Sequence, residues 1–135
     1  MRQEESVATG RSQVRVGVDL ISIDDVAASL ERFGDRYRRR LFTDHELETC
    51  GDRHGEGAAG LAARFAAKEA ALKVLRPVGT RPEWRSIEVR RHPDGWCEMQ
   101  LHGEAARLAR EAGIERMAVS LSHEGAMAAA VVVAE

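Results

Sequence analysis

From Val14 onward apolar and polar residues alternate. Val14, Val16, Val18 and Leu20 stand on one face and Arg15, Gly17 and Asp19 on the other, the period-two pattern of a half-buried strand. Asp24 is placed to cap a helix running to about Phe33 and closed by Gly34, and Thr43-Asp44-His45-Glu46 has the capping-box spacing that opens a second, short helix. Between them lies the basic run Arg36-Tyr37-Arg38-Arg39-Arg40. The glycine-rich stretch Gly51 to Gly60 reads as a loop, and Leu61 to Leu75 as a strong, alanine-rich helix stopped by Pro77. Trp84 to Arg91 and Trp96 to His102 alternate about Pro93-Asp94-Gly95, where proline fixes one torsion angle and glycine accepts positive φ, so they predict a hairpin. A helix from about Gly103 to Ala112, ended by Gly113, and two strands, Met117 to Ser122 and Ala128 to Val133, complete the chain. No internal repeat is present. Strands at both ends, separate helices and a hairpin predict an α+β domain with a mainly antiparallel sheet, one long helix and shorter helices.

Composition narrows the class. The 135 residues are 44% hydrophobic and 31% charged with only six aromatic residues, so the core of a single domain must be filled by Ala, Val and Leu. A formal net charge of -2 argues against a general nucleic-acid binder, which gains affinity from excess Lys and Arg along phosphates. No apolar run is long enough to cross a membrane, and no apolar signal segment follows the first residues, so a cytosolic protein is expected. Residues 1–12 are polar and aperiodic and read as a disordered tail before a domain over 13–135. Cys50 and Cys97 lack metal-ligand spacing and are expected to be thiols.

Several residues invite a chemical reading beside a structural one. Asp is a poor strand former, so Asp19 at the end of an apolar strand is either a turn residue or a ligand. Gly17, two residues earlier on its face, would let a phosphate or a metal approach the backbone. Leu61, Phe65, Glu69 and Lys73 follow i, i+4 spacing, so an apolar stripe turns charged at the rim of the core. Glu69 with Asp19 would hold a hard cation, since magnesium takes one or two protein carboxylates and fills its octahedron with water and phosphates. Lys68 and Lys73 offer point charges to phosphate oxygens, although Glu69 and Lys73 also read as an ordinary helical ion pair. His123, in Ser120-Leu121-Ser122-His123, reads as structural or functional, whereas His45, His54, His92 and His102 show no zinc spacing.

Taken in order, Gly17-Val18-Asp19-Leu20, Arg64-Phe65-Ala66-Ala67-Lys68-Glu69-Ala70 and Ser120-Leu121-Ser122-His123 resemble the holo-acyl-carrier-protein synthase family, the small single-domain branch of the phosphopantetheinyl transferases. The similarity runs from about Val14 to Glu135. It implies a 4'-phosphopantetheinyl transferase-like fold and a magnesium-dependent transfer of 4'-phosphopantetheine from coenzyme A to a serine of an acyl carrier protein. It also implies a homotrimer with coenzyme A bound between subunits. By resemblance, Asp19 and Glu69 are the Mg2+ ligands, Glu69, Lys68 and Lys73 are catalytic, and Lys68, Lys73 and His123 contact coenzyme A. The general base stays open between Glu69, a water it holds, and His123.

Two departures stand out. A basic residue that receives the acidic carrier in the family is Asp25 here, leaving Arg32, Arg36 and Arg39 to dock it. The loop Arg76-Pro77-Val78-Gly79-Thr80 and the hairpin segment Gly95-Trp96-Cys97 also differ from the family pattern. Two rival classes remain, a non-catalytic module binding coenzyme A or the carrier protein, and a nucleic-acid binder using the arginine run, which the acidic balance opposes.

Overall fold

A computed structural model of the chain describes residues 5–6, 13–51 and 57–135. Most of the expected N-terminal tail, part of the loop after Gly51, and His54 lie outside the described residues.

Strand β1 (Arg15–Ser22) pairs antiparallel with β5 (Met127–Ala134), which pairs on its other side with β4 (Met117–Glu124). The last strand is therefore the middle one. Across this sheet Gly17 stands opposite Val132 and then Val119, and Asp19 opposite Ala130 and then Leu121. A separate two-stranded sheet holds the expected hairpin of β2 (Ile87–Arg91) and β3 (Cys97–Leu101). Its turn is closed by Gly95 N–H donating to the His92 carbonyl (2.8 Å), with Gly95 at φ +98°.

Helix α1 (Ile23–Phe33) is capped by Ser22, whose hydroxyl accepts from Asp25 N–H at 3.2 Å. Asp24, the expected cap, instead sits with Asp25 in the first turn, where carboxylates meet the positive end of the helix dipole. The basic run is helical, as its reading as a solvated helix face expects, and makes up most of α2 (Asp35–Leu41). The capping box of α3 (Asp44–Cys50) forms as its spacing predicts. Helix α4 (Gly57–Leu75) starts inside the stretch expected to be loop, and Trp84–Ser86, expected to begin a strand, forms a 3₁₀ turn before β2. Helix α5 (Gly103–Glu111) follows the hairpin. Among the described residues no helix is long and apolar enough to cross a membrane.

All three apolar clusters of the core are built on α4. Its Leu61, Ala62 and Ala63 meet Val26, Leu41 and Phe42, its Ala66 and Ala67 meet Val89 and Ala130, and its Ala70, Val74 and Leu75 meet Ile87, Ala105 and Val132. Small side chains on both partners let helix and sheet approach closely. The extreme point is Gly17, where a Cβ would lie 2.1 Å from the Ala70 carbonyl oxygen and 3.3 Å from Lys73 Cβ. The space beside Gly17, expected to admit a phosphate or a metal, is filled by the helix.

This contact also reverses the expected sense of β1. Its helix-facing side carries Gly17 and Asp19, and the apolar set expected to face the core points outward, with Val16 63%, Val18 54% and Leu20 63% exposed. Val131 and Val133 extend the same outer face across β5 by register.

Gly17→Ala should destabilise the fold by about 3 kcal/mol or more, because an added methyl is driven into backbone rather than a flexible side chain. Urea denaturation measures it, and a loss within about 0.5 kcal/mol, typical of a neutral surface change, would contradict this packing.

Candidate active site

Asp19 reaches the helix side of the sheet because it lies two residues after Gly17 on the same face. The close approach at Ala70 brings Glu69 and Lys73 to that level of α4. Lys73 Nζ donates to the Val18 carbonyl oxygen at 2.7 Å and to Asp19 Oδ1 at 3.3 Å. Burial raises the pKa of Glu69, and the negative charge of Asp19 raises it further, against the pull of Arg81 and Lys73. Lys73 is thus bonded to one carboxylate, Asp19, and Glu69 lies near enough to feel the charge of both. Among the described residues no group of three or more His, Cys, Asp or Glu side chains gathers to hold a metal. A pair of carboxylates suits a hard ion that takes its other ligands from water and phosphate oxygens, and bringing a cation between them relieves their repulsion.

Lys68 is elsewhere. Expected to meet a phosphate, it is fully buried, and its ammonium donates to Glu46 Oε1 (2.8 Å), the Trp84 carbonyl (3.0 Å) and the Ile87 carbonyl (2.5 Å). Those three bonds use all its protons and leave none for a ligand. Burial lowers its pKa, while Glu46 opposes the shift. Glu46, equally buried, also accepts Thr43 N–H at 2.8 Å and Val89 N–H at 2.9 Å. One ion pair therefore ties α4 to α3, β2 and the Trp84 turn. The signal was present in the helix period, since Lys68 falls on the stripe Leu61, Arg64, Lys68, Ala71, Leu75, every member of which is buried.

A second unassigned carboxylate, Glu88, is 5% exposed and interacts with Arg90 Nη1 at 3.1 Å and His102 Nε2 at 3.2 Å. Burial alone would raise its pKa, but hydrogen bonds from Thr43, His102 and Arg90 outweigh it and the net shift is downward. Cys50 and Cys97 are free, and burial pushes the Cys50 thiol up to about 11, away from thiolate chemistry.

His123 ends up exposed near the end of β4, opposite Ala128 and, across β5, Ile21. Two strand spacings, about 10 Å, separate its strand from that of Asp19. One chain therefore does not bring His123 to the Asp19, Glu69 and Lys73 cluster. Of the arginines expected to dock a carrier, Arg32 lies over the Phe33 ring at 5.1 Å and Arg36 is exposed on α2. Arg39 lines a cleft of ≈ 620 Å³ with Arg40, Arg81 and Arg85, which sequence reading missed because they come from separate segments.

Residues 15–131 match the family model of the 4'-phosphopantetheinyl transferase superfamily. The chain is 44% identical over 125 residues to a holo-[acyl-carrier-protein] synthase of Herpetosiphon aurantiacus, covering 87% of this chain and 94% of that one. It is 43% identical over 122 residues to the synthase of the same description from Moorella thermoacetica, covering 90% and 94%. The crystal structure of Helicobacter pylori holo-[acyl-carrier-protein] synthase in complex with coenzyme A superposes with a TM-score of 0.78 at 26% identity, covering 90% of this chain and 100% of that one. That from Neisseria meningitidis gives 0.75 at 33% identity, covering 89% and 96%. The chain belongs to the 4'-phosphopantetheinyl transferase superfamily, in its holo-[acyl-carrier-protein] synthase branch, and is an enzyme of that class.

Lys68→Met and Glu46→Gln should each cost about 3–5 kcal/mol of stability, because each leaves a buried group without its partner. In a urea double-mutant cycle the combined variant should cost clearly less than the two single losses together; additive losses would mean the pair is not coupled.

Proposed function

We propose that this chain transfers 4'-phosphopantetheine from coenzyme A to a serine of an apo acyl carrier protein, releasing 3',5'-ADP, in a Mg2+-dependent reaction at Asp19, Glu69 and Lys73. The observation that carries this reading is that Lys73 of α4 is bonded to Asp19 of β1, with Glu69 near enough on the same helix to feel the charge of both. The serine oxygen forms a bond to the β-phosphorus of coenzyme A, and the bond from that phosphorus to the oxygen bridging to the α-phosphate breaks. Asp19 and Glu69 would hold the magnesium ion, which supplies charge stabilisation to phosphate oxygens. Lys73, half exposed beside Asp19, has reach to neutralise the diphosphate. The raised pKa of Glu69 suits it, or a water it holds, to accept the serine proton, with His123 as the other candidate.

His123 supports an assembled site. It lies across the sheet from Asp19, and the exposed Val16, Val18, Leu20, Val131 and Val133 form an apolar face of the kind that marks a subunit interface. A homotrimer burying this face would let His123 of one subunit meet coenzyme A held at the carboxylates of the next. The expected setting is the cytoplasm, where carrier and coenzyme A meet.

Incubated with Mg2+, coenzyme A and apo carrier proteins, the protein should add a phosphopantetheine mass to a carrier in intact mass spectrometry, and Asp19→Ala or Glu69→Ala should abolish the gain. Coenzyme A binding with no gain on any carrier would instead favour a non-catalytic module. Val18→Glu should shrink the particle in light scattering and weaken coenzyme A binding; an unchanged mass would remove the outer face from the assembly.

A further inference from the structure

Positive charge on the molecule is concentrated away from α1. Helix α1 exposes three carboxylates, Asp24, Asp25 and Glu31, against the single base Arg32. An acidic partner laid along α1 is therefore repelled over most of its length. On α2, Arg38 is already paired with Asp35 at 3.5 Å. The concentrated positive charge lies one step further, where Arg39 and Arg40 of α2 face Arg81 and Arg85 from the segment before β2.

These four guanidinium groups and one exposed carboxylate, Glu83, line the cleft with Trp84. Arg85 also approaches Asp44 at 3.6 Å, with both side chains open to solvent, so that pair is screened and easily exchanged. Trp84 of the cleft lining is bonded through its carbonyl to Lys68, the residue before Glu69, which puts the cleft beside that part of α4. Trp84 anchors it: its ring meets Phe65 edge-on at 5.1 Å and its carbonyl accepts from buried Lys68. The cleft is thus rigid at its floor and cationic at its rim.

We propose that the acidic face of the carrier protein seats on the cleft of Arg39, Arg40, Arg81 and Arg85, rather than along α1. The inference rests on the transferase reading and names the docking surface for its protein substrate. Guanidinium groups bind carboxylates in a planar, two-pronged fashion, and a cluster at the edge of an interface chiefly raises the association rate and selects partners. Seated there, a carrier presents its serine next to Glu69, while Lys73 and Asp19 remain free for the diphosphate. Asp25 on α1 is not among the residues lining this cleft.

The test is a set of charge reversals in the full chain: Arg39→Glu with Arg40→Glu, and Arg81→Glu with Arg85→Glu. Each pair has a milder counterpart carrying Gln, and Arg110→Glu on the last turn of α5 controls for net charge. Carrier modification by intact mass gives the apparent KM for each substrate, and interferometry on immobilised apo carrier measures binding directly. The expected result is a rise of about tenfold or more in the carrier KM for both reversal pairs, a smaller rise for the Gln variants, and a coenzyme A KM within about twofold of the parent. Carrier binding should also lose much of its salt dependence in the reversal pairs. A selective rise in the coenzyme A KM would make the cleft a nucleotide phosphate site and overturn the proposal. So would unchanged carrier binding in both reversal pairs while Arg32→Glu weakens it, which returns docking to α1. If the parent binds a carrier through the cleft without modifying it, docking stands and the transfer reading fails; modification undisturbed by the reversals has the opposite meaning.

Discussion

The absence of one side chain sets the geometry of this protein. At Gly17 the backbone of β1 runs so close to α4 that the carbonyl of Ala70 occupies the place of a Cβ. The sheet contributes Ala128, Ala130 and Val132 to the same seam, and the helix answers with a ladder of alanines. Such a seam fixes the height and rotation of the helix against the strand. Asp19 and Glu69 meet because each is close in sequence to that contact. The same constraint turns the valines of β1 outward, so the packing that brings Asp19 to α4 also leaves an apolar face exposed.

The second device is electrostatic. A fully buried lysine and glutamate are costly to desolvate, and such a pair persists only when further hydrogen bonds complete it. Here Thr43, Val89, Trp84 and Ile87 supply backbone partners, so one ion pair joins four elements. Lys68 immediately precedes Glu69, and its anchoring restricts how the turn of α4 carrying Glu69 can rotate. The neighbouring lysines of the motif thus divide their tasks. Lys68 secures the frame and Lys73 stays half exposed at Asp19.

Local rules made much of this fold legible. The capping box before α3, the Pro-Asp-Gly hairpin, the alanine-rich helix and the closing strands all rest on short-range chemistry, and each forms, although α4 begins earlier and β2 later than expected. Alternation along β1 was readable as a strand but not in its sense, because period two says which residues share a face and not which face meets the core. Lys68 was misassigned because a lysine reads as a surface charge by type, whereas its helical period placed it with Leu61 and Leu75 inside. Arg81 and Arg85 escaped notice since nothing local connects them with α2.

The order of the sheet has a consequence for how the chain acquires its site. The middle strand, β5, follows the other described elements in the chain, and Asp19 finds its neighbour Ala130 only after all of them. A ribosome-bound chain can form α1 to α4 from local contacts, yet β1 must wait unpaired until β5 has emerged. Pairing across such separations is slow to nucleate. A chain that has not yet reached β5 lacks the strand that joins β1 to β4, so the strand carrying Asp19 has no sheet partner and its edge stays open.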